Sequence, residues 1–114
     1  MLVLYGIRNC DTMKKARAWL DGHSVPYRFH DFKRDGLDED LLRAWVDELG
    51  WETLVNRRGT TWRKLPISER EGIDREGAIR LMLANTSLIR RPVLDTGNGH
   101  WVGFSEDQYQ GLLQ

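Results

Sequence analysis

Cys10 is the only thiol in this 114-residue chain, and it stands where a lone thiol is most easily made a nucleophile. Before it runs Leu2-Val3-Leu4-Tyr5-Gly6, an apolar stretch that reads as a buried strand. After it runs Asp11-Thr12-Met13-Lys14-Lys15-Ala16-Arg17-Ala18-Trp19-Leu20, which reads as a helix. A thiol at a helix N-terminus meets backbone N–H groups with no intrahelical partner and the positive end of the macrodipole. Both favour thiolate, and together they can lower a cysteine pKa of about 8.5 by one or more units. Lys14 and Lys15 add positive charge one turn on, while Asp11 opposes them. The competing reading makes Cys10 a small buried hydrophobe, the common fate of an isolated intracellular cysteine. His23, His30 and His100 lack metal-ligand spacing and no carboxylate pair clusters with them, so they read as ordinary surface or edge residues and no metal is expected.

The elements that must position Cys10 alternate in the first part of the chain. Within the helix, Met13, Ala16 and Leu20, joined by Trp19, recur at three- and four-residue spacing and form the inner stripe over 12–20. Gly22 is expected to end it. Val25 to Phe32 alternates aromatic with polar side chains, the period of a half-buried strand with Tyr27, Phe29 and Phe32 toward the core. Strand, helix and strand make a βαβ unit, which is parallel and right-handed in nearly all proteins. The middle is helical and more polar. Asp38 caps a helix over 39–49 with Leu41, Leu42, Trp45, Val46 and Leu49 on one face and Gly50 after it. A short helical piece at 51–55 precedes a basic stretch over 56–65 with turn chemistry, and residues 68–70 read as a solvated loop. Asp74 caps a further helix through Leu83, with Ile73, Ala78, Leu81 and Met82 inward. Arg91 to Asp95 reads as a strand opened by proline, Thr96-Gly97-Asn98-Gly99 as a turn, and His100 to Phe104 as the returning strand. Ser105 caps a last helix with Tyr109, Leu112 and Leu113 facing in. The order β-α-β, helical insert over about 38–84, β-β-α is that of an α/β domain with a thioredoxin-like mixed sheet, and residues 1–114 read as one such domain.

Composition bounds the setting. Hydrophobic residues make up 40% of the chain, enough for a real core at this length. A single cysteine excludes an internal disulfide and a cysteine-rich metal site and fits a reducing cytosol. Seventeen basic and seventeen acidic residues cancel, whereas nucleic-acid binding relies on a basic excess. No run of about 18 apolar residues occurs and no basic leader precedes the first strand. The expectation is a cytoplasmic monomer that contacts neither membrane nor nucleic acid directly.

Three stretches carry a family resemblance: Tyr5-Gly6-Ile7-Arg8-Asn9-Cys10-Asp11-Thr12-Met13-Lys14-Lys15-Ala16, Asn56-Arg57-Arg58-Gly59-Thr60-Thr61-Trp62-Arg63-Lys64-Leu65, and Ser87-Leu88-Ile89-Arg90-Arg91-Pro92-Val93-Leu94. With them the chain resembles, over essentially its whole length, the arsenate reductase-like branch of the thioredoxin superfamily. That branch also holds Spx-type transcriptional regulators and YffB-type proteins. The resemblance implies a cis bond before Pro92 that faces the cysteine. Arg91 would then set a guanidinium beside Cys10, stabilising thiolate and offering a bidentate site for an oxyanion or a carboxylate such as that of glutathione. Taken singly, Arg91 would be a surface salt-bridge partner and Pro92 an edge-strand proline. The implied site comprises Cys10 and Arg91 as catalytic residues, with Asn9, Thr12, Arg91 and Pro92 around glutathione.

Departures from the arsenate reductase pattern narrow the chemistry. Gly6 stands where the family's tuning histidine is expected, Met13 replaces a serine, and Asn56 and Gly103 stand where two of three oxyanion-handling arginines are expected. The Cys-x-x-Cys switch common in Spx-type regulators ends here in Met13, so oxidised Cys10 needs an external thiol. The expectation is a glutathione-dependent thiol reductase, with glutathione or a glutaredoxin-like thiol donor as partner and no metal. The alternatives are an Spx-like regulator acting by contact with a protein such as RNA polymerase, an arsenate reductase proper, and a scaffold with a vestigial cysteine. Trp51 and Trp62 flank Arg57 and Arg58, where a stacked guanidinium or a glutathione-contacting surface is conceivable; the five tryptophans otherwise read as packing.

Overall fold

A computed structural model describes residues 2–114 and groups them into two compact units, residues 2–35 with 91–114, and residues 36–90. In the first unit, strand β1 (Leu2–Gly6), helix α1 (Asp11–Gly22), strand β2 (Tyr27–Asp31) and the single turn α2 (Phe32–Asp35) are followed, after the second unit, by β3 (Val93–Asp95), β4 (His100–Val102) and α8 (Glu106–Leu113). The sheet order is β2-β1-β3-β4. β1 runs parallel to β2, with Leu4 opposite Phe29, and antiparallel to β3, with Leu4 opposite Leu94. β3 and β4 form the antiparallel pair expected around the Thr96–Gly99 turn.

The core of this unit is the stripe read from the sequence. Met13, Ala16, Trp19 and Leu20 of α1 pack with Leu4, Leu94 and Tyr109. Tyr109 meets Trp19 edge-on at 5.7 Å and Phe104 at 4.7 Å, so α8 and α1 share one aromatic joint. Burying each of Leu4 and Leu20 contributes about 1.5–3 kcal/mol, and both are fully buried. The N-terminal end of α1 is therefore carried on a firmly held helix.

The second unit contains α3 (Glu39–Leu49), α4 (Trp51–Leu54), α5 (Thr60–Arg63), α6 (Ile67–Arg70), α7 (Arg75–Ala84) and a 3₁₀ turn at Thr86–Leu88. Asp38 and Asp74 cap α3 and α7 as the sequence predicts. Leu42, Trp45, Val46, Leu54, Ala78, Ile79 and Met82 form the buried faces. Val55 bridges Ile89, and the Arg90 amide donates to the Leu54 carbonyl at 2.7 Å, which ties the end of the unit to α4.

Several expectations are corrected. β2 stops at Asp31, and Phe32 opens a turn instead of continuing the strand. The reason is local: Asp31 Oδ1 accepts the Lys33 amide at 2.9 Å and Asp35 Oδ2 accepts the Asp31 amide at 3.1 Å, winding the chain. The stretch 56–65 is only partly turn. Asn56 Oδ1 accepts the Arg58 amide, after which Thr60–Arg63 closes one helical turn. Residues 67–70 are also helical, because the Pro66 carbonyl accepts the Glu69 and Arg70 amides at 2.9 and 3.3 Å. α1 does end at Gly22 as expected, and the residue beyond it with a left-handed φ is Ser24 at φ 56. Arg91 and Pro92 precede β3 and lie outside the strand.

Candidate functional site

β1 delivers the chain into the turn Ile7-Arg8-Asn9, and Cys10 is the N-cap of α1, with extended backbone at φ −125 and ψ 130. The side chain is half-buried, packed at the edge of the core cluster. Unlike the caps of α3, α7 and α8, it closes no side-chain cap hydrogen bond. The amides of Met13 and Thr12 are left directed at the sulfur.

Arg91 completes the surroundings. The Arg91–Pro92 bond is cis, as the resemblance implies, and the guanidinium reaches the sulfur by hydrogen bond and by charge. Burial pushes the Cys10 thiol up. Against it act the Met13 amide, the Arg91 hydrogen bond and charge, and the Thr12 amide, and their sum holds the thiol below its ordinary value. Lys14 and Lys15 are exposed and take no part in that balance, so the cation that matters comes from the far end of the sequence.

The structure thus brings together Cys10, the amides of Thr12 and Met13, Arg91 and Pro92. Pro92 is buried, and its carbonyl accepts the Gly103 amide at 2.9 Å. Gly103 has φ 79, a left-handed value that suits glycine. An extended peptide laid along this edge would find the Pro92 carbonyl already engaged. Asn9 is exposed and lines a separate cleft with Ile7, Arg8, Asp31, Lys33 and Arg34. Lys33 and Arg34 carry no motif; only the fold sets them beside the Cys10 turn. Asn56 belongs to the helical unit, where its side chain holds the Arg58 amide.

Two of the departures at this site have one cause. Gly6 ends β1 and Met13 is fully buried. A Cβ on Gly6 would fall into the Met13 sulfur and lie 2.7 Å from its Cε. The Met13 thioether therefore fills the space that a side chain at position 6 would need. Glycine at 6 and methionine at 13 form a packed pair, and a histidine at 6 cannot be accommodated while Met13 keeps this position.

In the helical unit Arg57 stands over Trp51 at 5.0 Å and is 5.8 Å from the Trp62 ring, the stacked arrangement conceived from the sequence. Among the described residues no group of three histidine, cysteine or carboxylate side chains is arranged to hold a metal, and no helix is long and apolar enough to cross a membrane.

Comparison with known proteins places these features in context. The ArsC family matches residues 5–112. An uncharacterised protein of Haemophilus influenzae is 40% identical over 113 residues, covering 99% of both chains. The global transcriptional regulator Spx of Streptococcus pyogenes is 32% identical, covering 99% of this chain and 85% of that one. Among solved structures, a YffB protein is 53% identical with a TM-score of 0.96 over 100% of both chains. An arsenate reductase (ArsC) related protein from Brucella melitensis is 47% identical with a TM-score of 0.81, covering 99% of this chain and 94% of that one.

Proposed function

Because this chain belongs to the ArsC family, with the thioredoxin-like mixed sheet of that family, we propose that it is a glutathione-dependent thiol reductase whose single nucleophile is Cys10. The observation that carries this reading is the thiol held below its ordinary pKa by Arg91 and two helix amides against the opposing effect of burial. The thiolate, which that balance favours, is the species that attacks disulfides.

The reaction balances with one cysteine. The Cys10 thiolate attacks the glutathione sulfur of a mixed disulfide R–S–S–G. The S–S bond of R–S–S–G breaks, R–S⁻ leaves and takes a proton, and Cys10 is joined to glutathione by a new disulfide. A second glutathione thiolate attacks the glutathione sulfur of that adduct, forming glutathione disulfide and returning Cys10 as thiolate. R–S–S–G is reduced by two electrons and two glutathione sulfurs end oxidised to one disulfide. Arg91 and the Thr12 and Met13 amides stabilise the negative sulfur before attack and on departure. Asn9, Thr12, Arg91 and Pro92 contribute to glutathione binding around that sulfur.

Arsenate reduction is the weaker reading. With Gly6, Met13, Asn56 and Gly103 at the four departing positions, Arg91 is the only counterpart of the family's oxyanion arginines. A regulator that acts by protein contact draws support from the Spx relative, and the missing second cysteine removes its disulfide switch. The test is incubation with glutathione disulfide followed by intact mass. The reading expects one glutathione per chain at Cys10, released by excess glutathione, and turnover of a glutathionylated peptide that Cys10→Ser abolishes. A chain that forms no adduct above the thiol's unperturbed pKa refutes it.

A further inference from the structure

Resting on the reading of Cys10 as a glutathione-exchanging thiol, we propose that the cleft formed by Arg8, Asn9, Lys33 and Arg34 is a carboxylate subsite that selects anionic thiols. The cleft lies where the β1–α1 turn meets the start of α2, and its volume is about 270 Å³. Sites that enclose a whole small molecule run to roughly 300–1,000 Å³. This cleft suits one end of a molecule whose remainder lies elsewhere. The sulfur is close: Arg8 is two residues before Cys10, so their Cα atoms are at most about 7.6 Å apart by chain geometry.

The charges in the cleft are unequally spent. Its lining holds three cations, Arg8, Lys33 and Arg34, and one carboxylate, Asp31. Arg34 is occupied by Asp35, with Nε at 3.0 Å from Oδ1 and Nη2 at 3.0 Å from Oδ2. Asp31 is buried, and its Oδ1 accepts the Lys33 backbone amide at 2.9 Å. That carboxylate fixes the turn from which the Lys33 side chain departs. Arg8 and Lys33 are exposed and have no ion-pair partner among the described residues. Two cations without partners, on two turns held by a strand pair in register from Leu2–Tyr27 to Gly6–Asp31, face a cleft beside a thiolate.

Cations placed so close to a nucleophilic thiolate act on whatever its sulfur partner carries. Glutathione bears two carboxylates and one ammonium, so one carboxylate can enter the cleft while the sulfur reaches Cys10. A neutral or cationic thiol gains nothing there. The cleft thus makes the site choose among thiols by charge, at a position distinct from Arg91.

The test uses a ligand that cannot react at sulfur. S-methylglutathione and its diethyl ester are titrated into the full chain and followed by backbone amide shifts. The diacid is expected to perturb the Arg8, Asn9 and Lys33 amides and to bind about five-fold more tightly than the ester, as two partly exposed ion pairs allow. Added salt shrinks that difference. In Arg8→Gln/Lys33→Gln the preference for the diacid is expected to shrink by most of its size, leaving what Arg91 supplies, with the remaining amide spectrum unchanged as evidence of folding. Equal binding of diacid and ester by the parent chain, or a preference undiminished in the double variant, overturns the subsite. Neither result depends on whether Cys10 forms a disulfide, so failure of the subsite and failure of the reductase reading are told apart.

Discussion

Among the described residues four helices run eight residues or longer, and their N-termini fall into two kinds. At α3, α7 and α8 an oxygen side chain takes the amide three residues on: Asp38 from Leu41 at 3.1 Å, Asp74 from Gly77 at 2.8 Å and Ser105 from Gln108 at 3.0 Å. At α1 the cap residue is Cys10, and the corresponding amide is that of Met13. There no oxygen closes the cap, and the amide lowers a thiol pKa instead. The same unsatisfied groups that an ordinary cap consumes for stability are kept at α1 for a sulfur. The difference teaches that a helix start can be read as structural or chemical by what stands at the cap.

The largest effect expected from breaking this contrast is on chemistry. Cys10→Ser converts α1 into a start like that of α8. It should abolish glutathione adduct formation while circular dichroism and amide spectra show the fold intact. Below the thiol's folded pKa, where Cys10 is neutral, the serine variant should be at least as stable as the parent in urea unfolding. As pH rises from the folded toward the unfolded thiol pKa, the parent should gain on the variant. A depressed acid pKa contributes stability that is complete above the unfolded value and lost as pH falls through the folded one.

Next in size is the packing beneath the cap. Gly6→Ala drives a Cβ into Met13 and should cost about 1–3 kcal/mol, the range for overpacking. Combining it with Met13→Ala should cost less than the sum of the two single changes, as touching residues couple. Additive costs would mean that positions 6 and 13 are independent.

Smaller still are the ordinary caps. Asp74→Ala should lower stability by about 1 kcal/mol, measured by denaturant midpoint. Cys10→Ala at low pH should lower it by clearly less, because no cap bond is lost. Equal losses would erase the distinction between the two kinds of helix start.

How much of this is legible in the sequence depends on how local the cause is. The caps at Asp38, Asp74 and Ser105, the α1 stripe and the Thr96–Gly99 hairpin all follow from interactions within a few residues, and sequence periodicity reports those directly. The cis bond before Pro92 and the approach of Arg91 to Cys10 were implied only by the family resemblance, because the two lie some eighty residues apart in the sequence. The short turns at Phe32, Thr60 and Ile67 are not legible there, because a few local side-chain or carbonyl acceptors decide them, below the length at which apolar spacing shows. Gly6 and Met13 were visible as two separate departures. That they are one packed pair needed the contact itself. Lys14 and Lys15 misled in the other direction, since nearness in sequence suggested a role that exposure to solvent removes.

The central claim is that Cys10 is held toward thiolate by Arg91 and by amides that an ordinary cap would have consumed. It is tested most directly by the pH dependence of Cys10 alkylation with iodoacetamide, in the parent chain and in Arg91→Ala. The expected midpoint lies below that of a free cysteine and moves upward in Arg91→Ala, with the Met13 and Thr12 amides still acting. A parent midpoint at or above that of free cysteine, or one that Arg91→Ala leaves in place, would contradict it.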